Sequence, residues 1–425
     1  MAVALFAFVA LFLLLISAPV FIAILAPTLL TFELFGPPVP AMALTQQMMQ
    51  GINKFSLLAI PLFLFSADII SRGEIGGRLL RLVETTVGHL NGGVAITTAV
   101  TCALFGAVSG IGQAAIVSIG PIVYPALVKQ GYSRGFAAGL ILSASTLAML
   151  IPPGVAMILY SLATTSSVGG VFLAGLGAGI VFMSLLSVYC YGYARVNGVG
   201  RQERASWRER YMCLKNAGWS LGLPVIVFGG IYAGTFTPTE AASGACVYSL
   251  FVEMVVYRKL DLKDLFEVTA RSSMVIASLL ILLAAGSAMA YYLTLQDVPQ
   301  VVAGLMGENS ANGVLLSINL VFLITGMFID PNSAIIVLTP LFYPIAMAFS
   351  IDPLHLGAVI VLNVAIGMIT PPFGINLFVG VATFRVPYLE IVKSMLPFIG
   401  IALVALALIS YVPALVTWLP RLVGL

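Results

Sequence analysis

The sequence predicts an all-α polytopic membrane protein built around an internal repeat. Three observations carry that prediction. The 425 residues are 60% hydrophobic and 8% charged, with a mean hydropathy of +1.10. A soluble domain carries about 25% charge, so this chain lacks the polar surface that water demands. At roughly 20 apolar residues per span, the apolar runs leave room for about ten to twelve crossings or half-crossings. Finally, Pro121-Ile-Val-Tyr-Pro125 and Ile151-Pro-Pro-Gly154 are matched by Pro340-Leu-Phe-Tyr-Pro344 and Thr370-Pro-Pro-Phe373. Both proline blocks keep one offset of 219 residues, which reads as internal duplication.

The elements follow in order. Residues 1–92 form N-terminal helices. No Lys or Arg precedes Lys54, so the basic start of a cleaved signal peptide is missing. Residues 3–27 are predicted as one retained helix. Residues 93–194 hold the first copy and the helix after it. A small-residue break at Gly106–Gln113 lies between apolar runs, and a second long helix is interrupted at 148–154. Residues 195–217 form a basic linker with Arg195, Arg201, Arg204, Arg208, Arg210 and Lys215. Residues 218–312 make a second scaffold segment. Its apolar runs at 218–233 and 241–257 turn at Thr235–Glu240 and return to a second basic stretch, Arg258 to Arg271. Two crossings place both basic stretches on one side, which the positive-inside rule makes cytoplasmic. Residues 313–384 hold the second copy, with a break at 325–332 and an interrupted helix at 367–374. Residues 385–425 supply a C-terminal helix. The Gly- and Asn-rich breaks halfway along apolar pairs suggest re-entrant hairpins; two full spans are the alternative.

Chemistry concentrates at the interruptions. A prolyl pair breaks a helix, and inside a membrane the exposed backbone must face protein or a cavity. Paired interruptions in matching halves mark the binding site of a secondary transporter. The sharpest element is Gly367-Met-Ile-Thr-Pro-Pro-Phe-Gly-Ile-Asn376. Thr370 is expected to cap a new half-helix with Pro371 at its first position. The preceding half-helix ends near Gly367 and leaves its last carbonyls unpaired. Carbonyl and hydroxyl oxygens suit Na⁺, and the fresh N-terminus suits a carboxylate. Ser109, Gly110 and Gly112 at one tip, and Gly326, Asp330 and Asn332 at the other, add oxygens and close backbone approach. Small residues also serve ordinary helix packing. From Ser272 to Phe384 there is no Lys or Arg, so an anion held there relies on helix ends, hydroxyls or a cation.

Asp68, Glu240, Glu253 and Asp330 lie in apolar runs, where carboxylates are functional candidates. Glu240 follows Thr237-Pro-Thr239 and is expected to cap a helix. Lys54 is expected to snorkel to the interface. Cys102, Cys190, Cys213 and Cys246 stand singly, without a C-x-x-C pair. His89 and His355 offer too few ligands for a metal centre. No phosphate-binding loop, H-E-x-x-H or G-x-S-x-G motif occurs, which argues against ATP hydrolysis by that route and against a membrane protease or lipase. The basic residues sit in membrane loops and indicate no nucleic acid.

Further motifs run the length of the chain. They are Ala59-Ile-Pro-Leu-Phe63, Gly229 to Ala241 with its Thr-Pro-Thr-Glu-Ala segment, Asp352-Pro-Leu-His-Leu-Gly357, and Asn363 to Pro372 with its Gly-x-x-Thr-Pro-Pro segment. With these, the chain resembles the large membrane (M, DctM-like) subunit of tripartite ATP-independent periplasmic transporters. The resemblance implies inverted repeats, elevator-type transport and scaffold parts, and coupling to inward Na⁺. It implies a small membrane subunit (Q-type) and a periplasmic substrate-binding protein as partners, in the lipid bilayer of a bacterial inner membrane. The implied substrates are organic acids: C4-dicarboxylates, sialic and other sugar acids, and keto acids. One cation site would use Gly326, Gly367, Thr370 and the backbone of Phe373. The other would use Ser109, Gly110 and Gly112 with the break at Ala148, Ile151 and Pro152. Substrate contacts are expected at Ser145, Pro152, Asn332, Asn363 and Pro371. The first copy departs from the family's usual Ser-Gly-Ser-Ser, reading Ser109-Gly110-Ile111-Gly112, and carries Ala148 where glycine is usual. A stand-alone Na⁺- or H⁺-coupled dicarboxylate symporter is the alternative. A channel would want a continuous polar stripe or a ring of charges, which this chain lacks.

Overall fold

A computed structural model describes residues 2–36, 42–199, 204–298, 300, 301, 304 and 310–424. Arg201 of the basic linker lies outside them. Among the described residues there are helices and turns but no strand. Eight helices are long and apolar enough to cross a membrane, or up to nine with a bent pair counted.

The chain opens with α1 (Ala2–Leu15) and α2 (Val20–Phe35), packed on each other. The single helix expected over 3–27 is therefore two. Ser17 adopts φ +61° and Pro19 stands at the N-cap of α2, which together turn the chain back. Next come α3 (Met42–Ile52), α4 (Ala59–Arg72) and α5 (Ile75–Val87). The first copy comprises α6 (Gly93–Ser109), α7 (Gly112–Lys129), α8 (Arg134–Leu150) and α9 (Val155–Thr164), and α10 (Val168–Val196) follows it.

The basic linker becomes helix at α11 (Trp207–Pro224), started by a capping box of Ser206 and Glu209. One π turn, Val225–Gly229, carries it onward. The expected turn at 235–240 precedes α12 (Pro238–Phe251), where Thr237 and Glu240 form a second capping box. The long α13 (Leu262–Leu295) packs on α2, α3 and α4, forming the spine of this part. The second copy comprises α14 (Ala311–Phe328), α15 (Pro331–Ala348), α16 (Pro353–Gly367) and α17 (Ile375–Phe384). The chain closes with α18 (Tyr388–Tyr411) and α19 (Ala414–Leu422).

The two basic stretches meet at one end of the molecule. Arg78 donates to the Asn216 carbonyl (3.2 Å) and lies 3.9 Å over the Tyr257 ring, while Lys259 pairs with Glu74 at 3.1 Å. The hydrogen bond from Lys259 leads the contacts that hold the Glu74 carboxyl below its ordinary range.

The copies are inverted, and α18 reads out their direction. Gly135, at the start of α8, faces Ser394 near the beginning of α18. His355, at the start of α16, contacts the Ile409 carbonyl near its end, at 2.9 Å. Fifteen residues of helix separate those levels, roughly 22 Å at 1.5 Å per residue. The two broken helices thus start at opposite ends and run toward each other.

The proline pattern explains where they break. Pro121 and Pro125 sit inside α7, and Pro340 and Pro344 inside α15, without ending either helix. A consecutive pair has a larger effect. Pro152 and Pro153 remove the N–H groups that the Ala148 and Met149 carbonyls would take, so α8 stops and α9 resumes at a 42° bend. Both Pro-Pro bonds are cis. In the second copy α16 ends at Gly367 as expected, but α17 starts at Ile375. Thr370 is therefore not an N-cap and Pro371 is not a first helical position. Gly374 is the N-cap, without a side-chain hydrogen bond. The second proline bars the residue before it from helical geometry, so an extended turn intervenes. The Thr370 hydroxyl instead donates to the Ile366 carbonyl at 2.7 Å.

Candidate functional site at the twin breaks

Each hairpin tip is pressed against the break of its own copy. A β-carbon on Gly106 would stand 2.3 Å from Ala148 Cα, and one on Gly110 would stand 2.1 Å from the Pro153 carbonyl oxygen. One on Gly367 would stand 2.5 Å from the Gly326 carbonyl carbon. Backbone meets backbone at both junctions, which only glycine permits. This also accounts for Ala148: its methyl fits because the facing residue, Gly106, has none.

The junctions differ in how their backbone is satisfied. In the second, the Gly367 carbonyl accepts from the Thr370 N–H and the Met368 carbonyl from the Asn376 N–H, both at 3.0 Å. These are the carbonyls that Pro371 and Pro372 leave without helical donors. In the first, no hydrogen bond to the Ala148 or Met149 carbonyl is found among the described residues. The first break is wholly buried, whereas Pro371 is half-buried and Phe373 is 56% exposed against Phe328.

The helix starts differ too. Asp330 caps α15, accepting from the Asn332 and Ser333 N–H groups at 3.0 and 3.1 Å and from the Ser333 hydroxyl. A carboxylate already occupies that N-terminus. The starts of α7, α9 and α17, at Ile111, Gly154 and Gly374, carry no side-chain cap, although at α17 the Asn376 N–H is already taken by the Met368 carbonyl. Unsatisfied N–H groups and the positive dipole end make such termini anion sites. Two of them lie together. Gly112 sits 3.7 Å, measured from its β-carbon position, from Asn376 Nδ2, and Gly120 meets the Phe384 ring two turns on. Hence α7 and α17 run parallel from a shared starting level.

Most predicted residues assemble here. Ser109, Gly110, Gly112, Ser145, Ala148, Ile151 and Pro152 surround the first junction, where Ser109 Oγ lies 3.5 Å from the Ile111 N–H. Gly326, Gly367, Thr370 and Pro371 surround the second. Asn332 is half-buried beside Asp330. Asn363 is buried in a separate chain of contacts: its Nδ2 donates to Asn319 Oδ1 (2.8 Å), and Asn319 Nδ2 donates to Ser410 Oγ (2.9 Å). Sequence reasoning overlooked Gly106 and Asn376 as site residues, and Asn319 as the partner of Asn363, although Asn376 closes the motif that begins at Gly367.

The other acids of the apolar runs are spent on structure. Glu253 caps α5 and Glu240 caps α12, while Asp68 accepts from the Ser272 hydroxyl at 2.6 Å. Four free cysteines form no disulfide, and no group of metal-ligating acids, histidines or cysteines is found among the described residues.

Two clefts border the two copies. One of 440 Å³, lined by Asp68, Arg72, Gln113, Ser118 and Arg271, reaches Ile111 at the first tip from the basic end. Arg72 is occupied there by Asp264 and Glu267 at 2.8 and 2.6 Å. The other, of 410 Å³, lies between α3, α9, α13 and α15 and holds Gln47, Gln50, Lys54 and Tyr291. Lys54 donates to the Leu162 carbonyl at 3.1 Å, at the negative end of α9.

A family model described as the DctM component of the tripartite ATP-independent periplasmic transporter matches residues 6–415. The chain belongs to the DctM family. It is 40% identical over 410 residues to the ectoine TRAP transporter large permease protein TeaC of Halomonas elongata, covering 96% of each chain. It is 39% identical over 398 residues to the C4-dicarboxylate TRAP transporter large permease protein DctM of Pseudomonas aeruginosa, covering 93% of each. Among solved structures, the YdaH transporter of Alcanivorax borkumensis shares the fold, with a TM-score of 0.68 at 14% identity over 96% of this chain and 98% of that one. This DctM-family chain is thus the large permease subunit of a secondary transporter, and not an enzyme.

Proposed function

We propose that this DctM-family permease imports a small carboxylate-bearing solute across a bacterial inner membrane, driven by Na⁺. In this reading a periplasmic binding protein delivers the solute and a small membrane subunit completes the assembly. One observation carries it: hairpin tips seated on paired helix breaks, with the uncapped N-termini of α7 and α9 at a first junction whose Ala148 and Met149 carbonyls have no hydrogen-bond donor among the described residues. Carbonyl, hydroxyl and carboxamide oxygens at the first junction suit a hard monovalent cation, and the uncapped termini suit a carboxylate. Ser109, Ala148 and Met149 would hold the cation at the first junction, and Gly326, Gly367 and Thr370 at the second. The bound cation supplies positive charge beside the anion. The relatives are named for ectoine and C4-dicarboxylates, and both solutes carry a carboxylate. Movement of the part holding both breaks against α2–α5 and α11–α13 would expose the site to the two clefts in turn, an elevator-type motion.

Reconstituted uptake tests this reading. Ectoine, succinate and sialic acid are offered to liposomes with and without a Na⁺ gradient, and with and without the two partner proteins. Uptake of one acid that needs both the gradient and the partners is expected. Uptake by the chain alone would indicate a stand-alone symporter, and current without saturable solute would indicate a channel. Thr370→Ala removes one hydroxyl oxygen but leaves the backbone of the break in place. We expect a folded protein whose half-saturating Na⁺ concentration rises severalfold in the same assay. An unchanged Na⁺ response would give Thr370 a structural role only.

A further inference from the structure

We infer that Asn376 is a cation ligand lent by the second copy to the first junction, and that it ties the two breaks together. This rests on the Na⁺-coupled reading above. Asn376 is fully buried. Its backbone N–H donates to the Met368 carbonyl within the second break. Its side chain crosses to the first copy, where Nδ2 donates to Ser145 Oγ at 3.2 Å and approaches Gly112.

The orientation of the carboxamide follows from its neighbour. Ser145 Oγ donates its only proton to the Leu142 carbonyl at 2.6 Å, so toward Asn376 it accepts. The amide nitrogen therefore faces Ser145, and Oδ1 faces the other way. Buried Oδ1 has no hydrogen-bond partner. A buried polar oxygen left alone calls for a ligand.

The surroundings specify which kind. One turn along α8 from Ser145 are Ala148 and Met149, on the same helix face, whose carbonyls the prolines leave without helical donors. Ser109 adds a hydroxyl. The set is rich in acceptors, and the Ser145 hydroxyl proton is already committed to the Leu142 carbonyl. Such a set attracts a cation. Ile111 and Gly112 bring no hydroxyl to this tip, so a carboxamide from the other copy supplies the missing oxygen. Because the same residue is pinned to Met368, occupation of the first junction bears directly on the geometry of the second.

The test uses the complete reconstituted transporter and the purified permease. Asn376→Ala is expected to raise the half-saturating Na⁺ concentration for uptake at least tenfold, with the maximal rate largely regained at high Na⁺. The purified variant should also lose the rise in melting temperature that Na⁺, but not K⁺, gives the wild type. If the wild type responds to Na⁺ and the variant responds identically, the assignment of Asn376 is overturned while Na⁺ coupling stands. If the wild type does not respond to Na⁺, the coupled reading itself fails. A raised KM for solute with an unchanged Na⁺ response would assign Asn376 to the solute and overturn the cation role. Should Asn376→Ala fail to insert, Asn376→Asp decides. It keeps the oxygens, and a shifted Na⁺ half-saturation supports the inference, whereas an unshifted one overturns it.

Discussion

Gly367→Val should abolish uptake while leaving a folded, membrane-inserted protein. The new β-carbon would lie 2.5 Å from the Gly326 carbonyl carbon and 2.9 Å from its oxygen. Both atoms are backbone, so no side chain swings aside to make room. The second tip must back away from the break by an ångström or more. At a site that works by close placement, a displacement of about 1 Å costs on the order of 100-fold in rate. The γ-branches of valine enlarge the displacement, so Gly367→Ala should be impaired and Gly367→Val inactive. Gly400→Ala, in α18, is the matched control, because a β-carbon there meets nothing within 4 Å. Reconstituted uptake, normalised to protein recovered as a monodisperse peak, checks the series. Wild-type uptake by Gly367→Val would mean that the tip and break need not touch for transport. Gly106→Ala tests the same contact in the first copy, where the facing Ala148 already carries a methyl.

The breaks were legible because proline chemistry is local. Two consecutive residues without N–H groups stop a helix wherever they stand, and a constant offset identifies the repeat. The Thr370 cap was misread for the same reason. Local rules place a cap before a proline at the first helical position, but the second proline adds an extended turn and moves the cap to Gly374. The inversion of the copies was not written in any one segment. It depends on which end of α18 each broken helix starts from, a relation between residues far apart in sequence. Asn376 was overlooked because its partner Ser145 is 231 residues away, in the other copy. Ala148, read as a departure from the family pattern, is harmless only when the facing Gly106 is seen.

Glu253 illustrates the same limit, and its removal should have the largest effect on stability. As a carboxylate in an apolar run, it was a functional candidate by sequence. In the fold it is fully buried and caps a helix distant in sequence: Oε1 accepts from the Glu74 and Ile75 N–H groups at 3.0 Å each, and Oε2 from Glu74 at 3.1 Å. The start of α5 thus takes its anion from the π turn Val252–Val256 that continues α12, complementing the helix dipole. Gly73 leaves the carboxylate its space, since a β-carbon there would stand 2.0 Å from Glu253 Cδ. This junction carries the contacts that join the basic stretches, with Lys259 on Glu74 and Arg78 on the Asn216 carbonyl. Glu253→Ala leaves buried donors without an acceptor and opens a void. Buried groups so abandoned cost about 1–3 kcal/mol apiece, so a loss of about 3 kcal/mol is expected. Glu253→Gln keeps one acceptor and should lose roughly half as much. Gly73→Ala pushes on the same carboxylate from the opposite side and should destabilise in the same direction. Thermal unfolding of the purified variants, followed by loss of the monodisperse peak, measures all three. An unchanged midpoint for Glu253→Ala would mean that α5 is held by its apolar face alone, and Glu253 would then return to the list of candidates for function.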